Sequence, residues 1–175
     1  NFFGLDSFTY VAFDGEYNSE PATVTIEVLE VNDAPQAFGG YFVISEDDTV
    51  YSQIEAEDGD YFPTQEDIQQ LTYSIALNSQ HGDIDLDSAT GEFSYAPFPD
   101  FFGVDSFSFV VTDNGTTGGQ DDFLSDTAAI NIFVEPINDA PVLSQFPDTS
   151  MVEDSSLVLS VYASDIDNAE LSIYV

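Results

Sequence analysis

The side chains best equipped for chemistry are acids that recur in register. Glu46-Asp47 returns as Glu153-Asp154, Ala56-Glu57-Asp58-Gly59-Asp60 returns as Ala163-Ser164-Asp165-Ile166-Asp167, and Asp14 has its counterpart in Asp113. Beside these groups, Val31-Asn32-Asp33-Ala34-Pro35 returns as Ile137-Asn138-Asp139-Ala140-Pro141. In a mere surface coat the position of each Asp would drift between copies, so a shared Asp-x-Asp argues for ligands. Carboxylate, amide and backbone oxygens suit calcium, which takes about six to eight oxygen ligands. The lack of Cys and the single His argue against zinc and other metals that favour nitrogen and sulfur donors.

The composition points the same way. The chain has 34 Asp and Glu, no Lys or Arg, and a formal net charge of -34. Such a chain repels phosphate backbones and anionic lipid, which excludes nucleic acid and bare membrane as partners and leaves cations. Most of the acids are expected to form a solvated coat suited to salty water. Without Cys there are no disulfides, and without Lys there are no Lys-Asn isopeptide staples, so metal is the staple that remains. No apolar run approaches the roughly 18 residues of a membrane span. Because it opens in mid-repeat, the chain is expected to take its targeting signals from elsewhere in its parent.

The elements that must position these acids are strands. Asn1-Phe2-Phe3-Gly4-Leu5-Asp6-Ser7-Phe8 returns as Asp100-Phe101-Phe102-Gly103-Val104-Asp105-Ser106-Phe107, a period of roughly 100 residues. The expected boundaries are the C-terminal part of one repeat at 1–34, a complete repeat at 35–138 and the N-terminal part of another at 139–175. A unit of that period can hold its own core, whereas end pieces below roughly 40 residues need partners. Large residues alternate with small or polar ones in Phe8 to Ala12, Ala22 to Val28, Phe107 to Val111 and Ala128 to Val134, as one buried and one solvated face require. Further strands are expected near 41–44, 49–54, 71–76, 83–86 and 92–96. The third unit repeats the opening, with Leu157, Leu159 and Val161 expected to alternate inward. About seven strands per repeat predict an all-β fold of tandem antiparallel Greek-key sandwiches, with Phe and Tyr filling the cores. Residues 57–63, 88–91, 96–99 and 113–122 read as loops.

The order Glu-x-Asn-Asp-Ala-Pro, Glu-Asp, Ala-x-Asp-x-Asp and a late Asp resembles the inter-domain calcium signature of the cadherin fold. Phe-Phe-Gly-x-Asp-Ser-Phe, His81-Gly82 and Gly91 to Pro97 are similar to the cadherin-like tandem repeats of secreted bacterial surface proteins and adhesins. The resemblance implies a calcium joint formed by Glu30, Asn32, Asp33, Asp58, Asp60 and Asp113. It implies a second joint formed by Glu46, Asn138, Asp139, Asp165 and Asp167, and assigns Asp14 to a joint before Asn1. The sequence departs from the animal pattern at Ala34 and Ala140, where a second Asn is usual. It departs again at Pro136, which aligns with Glu30, with Glu135 displaced by one. Asp100 is the nearest counterpart of the acidic middle motif of animal cadherins.

Other motifs carry less. Asp83-Ile84-Asp85-Leu86-Asp87 has Ser88 where an EF-hand loop needs Gly and Ser94 where it needs Glu, so it reads as a strand with its acids in water. His81 has no second His or Cys to join, and reads as structural. Asn114-Gly115-Thr116 is a glycosylation sequon, informative only in a eukaryotic secretory host. The function expected is that of a calcium-rigidified structural or adhesive repeat of an extracellular surface protein or fibre. Its partners would be calcium, adjacent repeats or copies in a filament, and a glycan or cell-surface ligand. A carbohydrate-binding accessory module is the alternative, weakened by the absence of Trp. No nucleophile, base or metal constellation suggests an enzyme.

Overall fold

The computed structural model describes residues 2–59 and 69–174. Every regular element among them is a strand: β1 (Gly4–Tyr10), β2 (Ala22–Val28), β3 (Gln36–Ala37), β4 (Gly40–Ser45), β5 (Val50–Gln53), β6 (Ala56–Glu57), β7 (Thr72–Leu77), β8 (Gly82–Leu86), β9 (Glu92–Pro97), β10 (Gly103–Thr112), β11 (Thr116–Thr117), β12 (Gln120–Asp121), β13 (Ser125–Glu135), β14 (Val142–Leu143) and β15 (Ala163–Ser164).

The middle of the chain is a two-sheet sandwich. One sheet has the order β4-β13-β10-β7 and the other β5-β9-β8, with a short β3-β6 ladder beside them. Alternation decides which residues meet between the sheets. Asp105, Phe107, Phe109 and Val111 of β10 and Ile130, Ile132 and Val134 of β13 are buried, facing Phe93 and Tyr95 of β9 and Ile54. Phe93 meets Phe107 edge to face at 5.3 Å. Each such ring, fully buried, contributes about 1.5–3 kcal/mol. The expected antiparallel sheets hold except at one edge, where β4 runs parallel to β13 from Ile130↔Gly40 to Glu135↔Ser45. The expected loop at 113–122 contains a small hairpin, in which β11 pairs with β12.

The end pieces copy parts of this sandwich. β1 pairs with β2 from Gly4↔Val28 to Tyr10↔Ala22, the same register that joins β10 to β13 from Gly103↔Val134 to Phe109↔Ala128. The motif glycine has a positive φ in both copies, 109° at Gly4 and 124° at Gly103, which explains why Gly follows Phe-Phe. The short β14-β15 ladder, Val142↔Ser164 and Leu143↔Ala163, corresponds to β3-β6, Gln36↔Glu57 and Ala37↔Ala56.

Leu157, Leu159 and Val161 do not turn inward as their alternation suggests. They are exposed and in no strand. The aligned strand β5 pairs with β9, whereas residues 157–161 pair with no strand among the described residues.

Candidate metal centre

The residues expected at the second joint come from three parts of the chain. Glu46 follows β4, and its N–H donates to the Glu135 carbonyl at the end of β13 (2.9 Å). That bond turns the side chain onto the linker, where Oε1 accepts the Ile137 N–H at 2.5 Å. Glu46 is 1% exposed, and a buried carboxylate is costly unless it is paired or hydrogen-bonded. Asp139 of the linker and Asp167 beyond β15 complete the group, and carboxylate oxygens of the three lie within 4.8 Å of one another.

Local turns fix the approach. Asp167 Oδ2 accepts the Asp139 N–H at 2.6 Å. Asp165 Oδ1 accepts the N–H groups of Asp167 (2.9 Å) and Asn168 (2.7 Å), an Asx turn that aims Asp167 at the linker. Asn168 Nδ2 donates to Asn138 Oδ1 at 2.9 Å, and Asn138 Nδ2 donates to the Asp139 carbonyl at 2.8 Å. Of the residues expected at this joint, Glu46, Asp139 and Asp167 come within contact range, and Asp165 and Asn138 hydrogen-bond beside them.

Two further acids act on the group. Burial, followed by the charges of Asp167, Asp100, Asp47 and Glu46, pushes the Asp139 carboxyl above the usual carboxylate range. Asp47 and Asp100 both hold left-handed backbone, at φ 67° and 61°, and Asp154, the repeat counterpart of Asp47, does the same at 61°. Asp tolerates that region better than most residues because its short side chain bonds locally. Asp47 was readable as the second half of the recurring Glu-Asp pair, and Asp100 as the counterpart of the acidic middle motif. Three converging carboxylates repel one another in the absence of a cation. An all-oxygen, all-acidic donor set of this kind fits a hard divalent ion.

The first joint is built differently. Asn32 is buried, and its Nδ2 donates to Asp113 Oδ2 (3.0 Å) and to the Asp122 carbonyl (2.7 Å), while its Oδ1 accepts from Gln69 Nε2 (2.7 Å). Asp113 is buried as well, and its Oδ1 accepts the N–H groups of Gly115 (3.2 Å) and Leu124 (2.9 Å). Gly115 is Gly because a Cβ there would run into the Asn32 carboxamide. Glu30 accepts the Thr116 hydroxyl at 3.1 Å. Asp33 is exposed and Asp58 half-buried, and a Cβ at Gly59 would strike the Ala34 carbonyl and approach Asp33 Cβ, so the two acidic segments run side by side. Asp60 lies outside the described residues. Asp14 closes its own turn, with Oδ1 accepting the N–H groups of Glu16 (2.9 Å) and Tyr17 (2.8 Å), and these bonds hold its carboxyl below the usual range.

Among the described residues, Glu46, Asp139 and Asp167 form the one group of three carboxylates at such range. Asp83 and Asp85 face water on β8, with Ile84 and Leu86 turned toward the core. His81 stacks on Phe101 at 4.3 Å, with an interplanar angle of 8°. No helix among the described residues is long and apolar enough to cross a membrane.

The sandwich and its acidic joint define a cadherin-like, immunoglobulin-like repeat. The chain belongs to the bacterial Ig domain family, which matches residues 32–132. It is 32% identical over 158 residues to human Protocadherin Fat 1, a match that takes in 83% of this chain and 3% of that protein. Among solved structures it resembles the Protocadherin gammaB7 EC3-6 cis-dimer (TM-score 0.55, 21% identity, 91% of this chain and 42% of that one). It also resembles human Protocadherin-24 EC1-2 (TM-score 0.53, 14% identity, 75% of this chain and 65% of that one). The chain thus spans a small part of Fat 1 and less than two thirds of either structure. At these identities the structural likeness establishes the fold.

Proposed function

We propose that the chain is a calcium-rigidified structural and adhesive repeat of an extracellular surface protein or fibre. It acts as an extender rather than a catalyst, with repeat boundaries near residues 34 and 138. The observation that carries this reading is the convergence of Glu46, Asp139 and Asp167, one acid from the sandwich, one from the linker and one from the segment beyond it. Calcium would supply positive charge there, turning mutual repulsion into a clamp between successive units. Glu46, Asp139 and Asp167 would hold it, with Asn138 and Asp165 as supporting oxygens. At the first joint Glu30, Asp33, Asp58, Asp60 and Asp113 would serve, with Asn32 bracing Asp113. Extracellular modules bind calcium at about 10⁻⁴ to 10⁻³ M, so the clamp would be set in calcium-rich surroundings.

Small-angle scattering and thermal melting in calcium and in chelator test this. Calcium should lengthen the maximum dimension and raise the melting temperature. No change in either quantity would overturn the reading.

A further inference from the structure

The acid coat of the middle sandwich is one-sided. On the three-stranded sheet, Asp83 and Asp85 of β8 and Glu92 of β9 face outward. Among the described residues of the four-stranded sheet, Glu135, at the very end of β13, is the one acid turned outward, because alternation puts Asp105 and Asp126 on the inner side. The other outward positions hold Ser, Thr, Ala, Asn and a set of large apolar side chains. Register places Val43, Phe133 and Val104 in one row across three strands, and Tyr41, Asn131 and Ser106 in the next. Leu77 of β7 stands opposite Ser108, one row further on. Tyr41 is 65% exposed, Val43 52%, Leu77 64% and Val104 70%. The strand pattern does not demand these residues: at the aligned positions the chain has Glu27 for Phe133, Asp148 for Tyr41 and Ser150 for Val43. A connected, exposed apolar patch that the fold does not require marks an interaction surface.

Charge selects the occupant. A basic partner would settle on the carboxylates elsewhere on the molecule, whereas an uncharged face suits a partner that is itself strongly acidic. We propose that this face docks on the same face of a second copy of the chain. Stacked sheets lie about 10 Å apart, so the acidic outer sheets of the two copies are about 30 Å from each other, several times the Debye length of about 8 Å at physiological salt. A two-fold axis along the strands, between β13 and β10, lays β13 on β10 of the other copy and β4 on its β7. Phe133 then meets Val104 of the other copy, Asn131 meets Ser106 and Tyr41 reaches Leu77, each contact being made twice. Glu135 stays at the rim, in water. Four strands about 4.8 Å apart, along the length of Val104 to Thr112, give a face of roughly 500 Å² in plan. Its standing side chains bring the accessible area toward the roughly 800 Å² per partner of a specific interface. The copies lie side by side, so the contact goes beyond the calcium reading and does not rest on it.

An exposed tyrosine on each face supplies a matched test. Sedimentation equilibrium of the unmodified chain should show a dimer that tightens as sodium chloride rises from about 0.05 to 0.5 M, because salt screens the repulsion between the copies. Tyr41→Asp and Phe133→Glu, which install the acids found at the aligned positions, should each weaken the dimer at least about tenfold while the middle sandwich melts as before. Tyr51→Asp, on the acidic face, adds the same charge and should leave the dimer within about twofold. A monomer at every concentration and salt, whether or not dextran binds to it at Tyr41, would overturn the proposal. So would equal weakening by Tyr41→Asp and Tyr51→Asp, which would mean that net charge alone is at work. A dimer lost in Asp139→Asn but kept in Phe133→Glu would put the contact at the calcium joint and overturn the sheet face, leaving the calcium reading intact.

Discussion

The hydroxyl of Tyr95 donates to Asp105 Oδ2 at 3.0 Å, and this hydrogen bond crosses from the three-stranded sheet to the four-stranded one. Asp105 is 5% exposed and also accepts the N–H groups of Gln80 (3.1 Å), His81 (2.9 Å) and Ser106 (2.8 Å). The aspartate of the Phe-Phe-Gly-x-Asp-Ser-Phe motif is thus a clamp that pins the turn before β8, and β9 behind it, onto β10.

Removing that clamp strands its donors. Asp105→Ala leaves the Tyr95 hydroxyl and two turn amides short of an acceptor, at a cost of about 2–4 kcal/mol. Tyr95→Phe leaves Asp105 with three donors and should cost about 1 kcal/mol. Chemical denaturation of the two variants and their double mutant should show strong coupling between the residues. Additive losses would mean that the bond does not carry the effect.

The same carboxylate gives a signed pH dependence. Burial alone would raise Asp105, but the amides of Gln80, His81 and Ser106 and the Tyr95 hydroxyl outweigh it and hold the group below the usual carboxylate range. A carboxylate depressed in the folded state contributes stability above its unfolded value, near about 3.9, and loses it as pH falls through the folded one. Acid also relieves the self-repulsion of a chain with net charge -34, which acts in the opposite direction. The difference between the unmodified chain and Asp105→Asn isolates the clamp. Their denaturation midpoints should converge as pH drops below about 4, and a constant gap across that range would refute the assignment.

At the second joint the expected effect changes sign with calcium. Asp139→Asn removes one of three converging charges, so in chelator the melting temperature should rise or hold. In millimolar calcium the variant should gain less on binding, with affinity lowered at least about tenfold, or about 1.4 kcal/mol. Isothermal titration and melting on the same samples provide the check. An Asn variant that binds calcium as tightly as the unmodified chain would remove Asp139 from the ligand set.

How much was legible follows from which interactions are local. Strand alternation in Phe107 to Val111 and Ala128 to Val134 fixed the inner face, because period two leaves no choice once one face is buried. The Glu-Asp pair and Asp-x-Asp marked two of the three acids that come together, Glu46 and Asp167, because turn chemistry is read within a few residues. Asp105 is a different case. It stands two residues before Phe107 and so on the inward face, but an acid there reads as an interruption until Tyr95 and the turn at Gln80 are known to meet it. Asn32 was legible as a linker residue but not as a buried amide, since its partners Asp113, Asp122 and Gln69 are distant in sequence. The alternation of Leu157, Leu159 and Val161 is a local pattern, and whether such side chains are covered depends on partners distant in sequence, as β5 depends on β9.

Asn32 is where a ligand role and a structural role part company. Its Nδ2 faces Asp113 Oδ2 at 3.0 Å and the Asp122 carbonyl at 2.7 Å, and a carboxylate in its place could donate to neither. Asn32→Asp would place a second carboxylate against Asp113, where two like charges about 3 Å apart repel by several kcal/mol even at a protein-surface dielectric. In chelator, Asn32→Asp should lower the melting temperature more than Asn32→Ala does, because Ala removes a donor and adds no charge. Calcium should rescue the Asp variant in part, since an ion neutralises the added charge, and should leave the Ala variant unrescued. Parallel melts of the two variants with and without calcium decide the matter. If Asn32→Ala melts normally in chelator and loses only its response to calcium, the residue is a ligand rather than a brace.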